Sequence, residues 1–189
     1  SRDIKPLDDN PHVWVSVTLA IQQVRNIADA LEEFDPDHAD RYRANADAYI
    51  ARLDALRRTM REGLDSVKNR NIVTLHEAFP YFAREFGLRV VAVIEREPGS
   101  EPSARELAQT IDIVRQTGAP ALFAEPQYPA KAIDTIAAET GAKVYTLDPA
   151  VTGPMEPGAY LGIMETNLET LIAALKEGPS PSARVEGPK

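Results

Sequence analysis

Asn71-Ile72-Val73-Thr74-Leu75-His76 is a short β-branched and apolar run that stops on a histidine, and the fold of the chain turns on how it is read. Such a run, bounded by polar residues, reads as a strand buried on both faces. The same texture recurs downstream. Residues 77–86 have helical spacing and end at Gly87, residues 88–94 make a second apolar run, and residues 121–124 and 143–147 make a third and a fourth. Helical stretches separate them. One covers residues 103–117, opened by a capping box of Ser103 and Glu106, and one covers 129–140, closed by Gly141; a last helix spans 157–176. Near-continuous apolar strands alternating with helices imply parallel pairing. The expected fold class is therefore α/β, a four-stranded parallel sheet with flanking helices.

Upstream the period changes. Ser16 reads as the N-cap of a helix to about residue 33, with Ala20, Ile21, Val24, Ile27, Ala28 and Leu31 as its apolar stripe. Asp35-Pro36 ends that helix and opens another over residues 36–68, where Tyr42, Ala46, Tyr49, Leu53, Leu56, Met60 and Leu64 recur every three or four positions. At 1.5 Å per residue this element would be roughly 45–50 Å long, the length of a strut between two bodies. An acidic loop bearing Pro and Gly follows the second strand. The tail over residues 178–189, rich in Pro, Ser and Gly, is expected to be disordered.

Composition narrows the function classes. The chain has 189 residues, 43% of them hydrophobic, enough for a sizeable core. A formal charge of −8, with Lys and Arg interspersed among Asp and Glu, disfavours nucleic acid as a partner. Zero cysteines exclude thiolate ligands and disulfides, which leaves imidazole and carboxylate for any metal. No stretch approaches the length of a membrane span. The chain opens on Ser1 without an initiator Met, as expected of a processed protein, an excised piece or a fragment.

In a parallel sheet the residues just past the strand ends share one crevice. Here they are His76, Glu95, Glu125 and Asp148, with His12 far upstream as a further candidate. An imidazole among carboxylates suits Zn²⁺, Mn²⁺ or Fe²⁺, and nitrogen ligands lean toward zinc. Taken singly, each has a structural reading. His76 could cap a helix, Asp148 before Pro149 could form a turn, Glu125 before Pro126 could be a buried carboxylate satisfied by backbone N–H groups, and His12 beside Trp14 could simply pack. His38 reads as a solvated residue in the first turn of the long helix. No glycine-rich phosphate loop, no G-x-S-x-G elbow and no Ser at a strand end occurs. The enzymatic competitor is a metal-dependent hydrolase with His76 and Asp148 as ligands and Glu125 as general base. A metal-free interaction domain is the third alternative.

The segments Asn10-Pro11-His12-Val13-Trp14, His76-Glu77-Ala78-Phe79-Pro80-Tyr81-Phe82, Phe123-Ala124-Glu125-Pro126-Gln127 and Thr146-Leu147-Asp148-Pro149, in this order, resemble the zinc/manganese solute-binding proteins of bacterial ABC importers. The resemblance runs over about residues 10–175. It implies two α/β lobes joined by a rigid helix with the metal between them, no catalysis, delivery of the ion to an ABC permease, and a periplasmic or cell-surface anchored location. Carried over, His12 is the ligand from the first lobe and His76 and Asp148 are those from the second. A His rather than a Glu at position 76 implies zinc, with manganese as the alternative. On this reading residues 1–35 are the remnant of the N-terminal lobe, 36–68 the connecting helix and 69–177 the C-terminal metal-binding lobe. Val15-Ser16-Val17 departs from the Leu-Ser-Pro usual in the family. With little of a first lobe ahead of His12, coordination would be completed by water or a neighbour, and the stripe of Tyr42, Tyr49 and Leu53 would be exposed on the long helix and favour self-association.

Overall fold

The computed structural model describes residues 4, 7, 9–95 and 101–176. Residues 96–100 of the acidic loop after the second strand, and the tail expected to be disordered, lie outside the described residues. Elements run in the order α1 (Val17–Phe34), α2 (Ala39–Asp65), β1 (Asn71–Thr74), α3 (Pro80–Phe86), β2 (Arg89–Val93), α4 (Ala104–Thr117), β3 (Ala121–Ala124), α5 (Lys131–Thr140), β4 (Lys143–Thr146) and α6 (Ala159–Leu175). All strand pairs are parallel, in the order β2-β1-β3-β4. The expected α/β architecture is present.

Burial follows strand position. The central strands β1 and β3 are almost wholly buried, whereas the edge strand β4 leaves Lys143, Val144 and Thr146 exposed. Alternation along β1 and β3 divides the core into two layers. Ile72, Ala121 and Phe123 face α2, α3 and α6, packing with Met60, Phe82 and Leu171. Val73, Leu122 and Ala124 face α4 and α5, packing with Val114, Ile133 and Ile136. Helices thus cover both faces, as a parallel sheet requires. On the first face α2 and α6 come close at Gly63, where a Cβ would stand 2.9 Å from Ile172 Cδ1.

Local signals explain the helix boundaries. The Ser103 hydroxyl accepts from the Glu106 N–H and the Glu106 carboxylate accepts from the Ser103 N–H, completing the capping box. Gly87 closes α3 at φ 68°, a left-handed conformation that would strain a side chain. Ser16 caps α1, its hydroxyl accepting from the Leu19 N–H while donating to Glu85.

Three expectations need correction. The long helix does not run over 36–68: residues Pro36–His38 form a separate 3-10 turn, and α2 proper has 27 residues, about 40 Å. The cause lies in Asp35, whose carboxylate accepts from the Tyr42 hydroxyl and His38 Nδ1 and ties the turn to the helix start. Exposed His38 therefore serves this turn. The helix expected over 77–86 begins only at Pro80, because a residue before proline is pushed out of the helical region, and the chain from His76 to Phe79 forms a turn closed by the Ala78 N–H on the His76 carbonyl. Finally, Leu53 is not exposed. It is fully buried with Val17 and Ile21 of α1 in the core, and Tyr49 is half-buried against it. The large apolar side chains that stand exposed on this pair of helices are Ile27, Leu31 and Phe34 of α1.

Candidate metal centre

The ladder between the central strands continues past their formal ends. The Leu75 N–H donates to the Phe123 carbonyl, and the Glu95 N–H to the Leu75 carbonyl. His76 and Glu125 are thereby held side by side at the carboxyl edge of the sheet. Because β1 leads to β2 on one side and β3 to β4 on the other, the loops after the two central strands part here, and crevices form at such points.

His76 is 4% exposed and Glu125 2%. His76 Nδ1 lies 2.5 Å from Glu125 Oε1, which also accepts the His76 backbone N–H at 3.2 Å, while Gln127 Nε2 donates to Glu125 Oε2 at 2.9 Å. The ring of Tyr128 stands edge-on to His76 at 5.5 Å. With Nδ1 engaged by a carboxylate, the other ring nitrogen is turned outward. Pairing of this kind orients an imidazole and raises its basicity as a ligand.

That outward nitrogen meets His12. The two Nε2 atoms are 3.2 Å apart, with the rings 5.0 Å between centroids and 71° between planes. Two nitrogens bound at 2.0–2.1 Å to one tetrahedral zinc lie about 3.3 Å apart, so the observed separation matches one edge of such a site. His12 is half-buried, and its pKa is lowered, chiefly by burial and next by the neighbouring His76. Both effects favour the neutral imidazole, the form that can ligate.

The segment carrying His12 is fastened to the second half of the chain. Asn10 Nδ2 donates to the Glu77 carbonyl at 2.7 Å, the Tyr81 hydroxyl donates to the Asn10 carbonyl and accepts the Leu7 N–H, both at 2.7 Å, and Trp14 Nε1 donates to the Pro149 carbonyl at 2.7 Å. Tyr160 donates to the Trp14 carbonyl at 2.9 Å, and burial pushes the pKa of that phenol up, which keeps its proton in place as a donor.

Asp148 sits at the end of β4 with its backbone clamped by Asn167 of α6, which accepts the Asp148 N–H and donates to its carbonyl. Its carboxylate accepts from the Thr152 hydroxyl and, at 3.3 Å, from the Val151 N–H. Among the described residues no group of three His, Asp or Glu side chains is arranged to hold a metal ion. His12 meets His76 and His76 meets Glu125 in pairwise contacts, whereas the Asp148 carboxylate is bonded to its own loop. Glu95, buried at the end of β2, completes the rim. A cavity of about 630 Å³ between β4 and α6 is lined by Asp148, Tyr145, Ile163 and Asn167 but not by His12 or His76. It belongs to the sheet edge beside β4 and α6.

The sequence carries no local signal that marks Asn10, Asn167 and Tyr81 as supports of these side chains. Asn10 precedes a proline and reads as a turn-former, and Asn167 lies inside a helix where its burial, 3% exposed, has no sequence signature.

The parallel α/β fold with two imidazoles meeting at its sheet edge has clear relatives. The chain belongs to the family described as zinc-uptake complex component A, periplasmic, whose model matches residues 2–174. It is 35% identical over 176 residues to the zinc-binding lipoprotein AdcA of Streptococcus pneumoniae, covering 90% of this chain and 35% of that protein. To the high-affinity zinc uptake system protein ZnuA of Bacillus subtilis it is 34% identical over 170 residues, covering 88% and 53%. Among solved structures, the solute-binding protein FpvC of Pseudomonas aeruginosa in complex with Mn²⁺ superposes with a TM-score of 0.81 at 35% identity, covering 93% of this chain and 67% of that one. The chain thus spans about a third to a half of the length of these two curated relatives.

Proposed function

We propose that this chain holds a zinc ion through His12 and His76, with Asp148 as third ligand, as the metal-carrying part of an extracytoplasmic solute-binding protein that passes its ion to an ABC permease. The observation that carries the reading is the convergence of the two Nε2 atoms to 3.2 Å. Asp148 joins by turning its carboxylate from Thr152, and the fourth position is filled by water or by a donor outside the described residues. In the same proposal residues 69–177 form the metal-holding lobe and 1–35 belong with a first lobe.

Support for the transport setting comes from the names of the relatives, which are a zinc-binding lipoprotein and a zinc uptake protein. No described helix is long and apolar enough to cross a membrane. Manganese stays the alternative cargo, since the FpvC complex holds it, but two imidazoles rank zinc above manganese. The hydrolase reading is disfavoured at its base: the Glu125 side chain is 0% exposed, with His76 and Gln127 on its oxygens. We therefore assign binding without catalysis.

Zinc titrated calorimetrically into the whole chain is expected to bind at one site, and His12→Ala and Asp148→Ala should each weaken it by more than the ~10–100-fold typical of losing a partner behind a ligand. Wild-type affinity in both variants would remove the assignment.

Protons compete with zinc for imidazole. Affinity should stay nearly level at alkaline pH and fall as pH drops through and below about 6.5, the ordinary imidazole pKa, and burial favours the neutral form of His12. An affinity constant from pH 8 to 5 would point to carboxylates alone.

A further inference from the structure

We infer that Asn10 is a positioning residue that sets the tautomer of His12, so that its Nε2 offers a lone pair before any metal arrives. The inference rests on His12 and His76 being ligands.

Asn10 Oδ1 lies 3.0 Å from His12 Nδ1 and accepts the His12 backbone N–H, also at 3.0 Å. Which amide atom faces the ring is decided by the far side of the group, where Nδ2 donates to the Glu77 carbonyl at 2.7 Å. Turning the amide over would set its NH₂ against the His12 N–H and its oxygen against a carbonyl, losing both bonds. The backbone of Asn10 is fixed as well, its N–H on the Leu7 carbonyl and its carbonyl under the Tyr81 hydroxyl. An amide oxygen can only accept. The proton of neutral His12 therefore belongs on Nδ1, and Nε2 is left bare.

The other imidazole is set in the same way by a different group, since His76 Nδ1 donates to Glu125. Two bare Nε2 atoms then face each other at 3.2 Å. While both rings are neutral neither can donate to the other, and a cation bound by both would complete the pair. Asn10 also couples the two ligands in space. One end of its amide holds the His12 ring and the other grips the backbone of the residue next to His76, 67 positions away in sequence.

Imidazole nitrogen NMR of the whole metal-free chain at pH 8 tests this, with zinc titration beside it. Wild-type His12 is expected as the Nδ1–H form, and Asn10→Ala is expected to shift it toward Nε2–H and to weaken zinc binding by about 10–100-fold, the range for partners behind a ligand. A residue that merely held the segment in place would change affinity without moving the tautomer. Wild-type His12 already in the Nε2–H form, or Asn10→Ala with the tautomer and affinity of wild type, overturns the inference, and the wild-type spectrum decides even where the variant does not fold. His12→Ala separates the two levels. If it binds zinc as wild type does, the ligand reading itself fails; if it loses zinc while Asn10→Ala does not, only the role of Asn10 falls.

Discussion

Replacing His76 with alanine is expected to lower zinc affinity by more than about 100-fold, beyond the span for partners behind a ligand, and to destabilise the fold by roughly 1.5–3 kcal/mol. Two losses coincide at this residue. The imidazole supplies one of two converging Nε2 atoms, and its Nδ1 is a partner of the Glu125 carboxylate, whose side chain is fully buried. Breaking a buried ion pair outright costs about 3–5 kcal/mol. The smaller figure applies because Glu125 keeps the His76 backbone N–H and the Gln127 amide. Calorimetry and urea denaturation of the variant read both effects. Zinc binding at wild-type strength would mean that the imidazole pair is a packing feature.

Phe123→Ala should have the largest effect on stability, about 3–5 kcal/mol, as for other large aromatic truncations in a core. Phe123 is fully buried in the central strand β3, with the ring of Tyr145 at a centroid distance of 6.2 Å. The space it vacates lies between the sheet and the α2/α3/α6 layer, where neighbours on three helices would have to move together to refill it. Its carbonyl also accepts the Leu75 N–H, one residue before His76. Denaturant midpoints measured with an unchanged m value would give the number. A loss under about 1 kcal/mol would contradict the two-layer packing described here.

The alternation of strands and helices after residue 70 is legible because it rests on local chemistry: β-branched runs, a capping box at Ser103, glycines after helices. The strand-end positions of His76, Glu125 and Asp148 follow from that alternation. Strand order does not. Nothing in the pattern of β1 says that β3 rather than β4 lies beside it, yet that neighbour relation is what puts Glu125 against His76. Leu53 illustrates a second limit, since a helical stripe has the same spacing whether α1 or another body covers it. The roles of Asn10 and Asn167 depend on contacts across 67 and 19 positions, and side-chain amides that act at such range carry no periodicity.

Trp14 is the only tryptophan of the chain, and its indole bridges the His12 segment and the loop that carries Asp148. Its ring lies 5.3 Å from that of His12, while its N–H reaches the Pro149 carbonyl, next to Asp148. Indole emission depends on the polarity and hydrogen bonding around the ring. The chain therefore carries an optical reporter at the junction of the His12 segment and the Asp148 loop, and with no second indole to dilute it, a change in its spectrum would be a local record of how those two arms stand relative to each other.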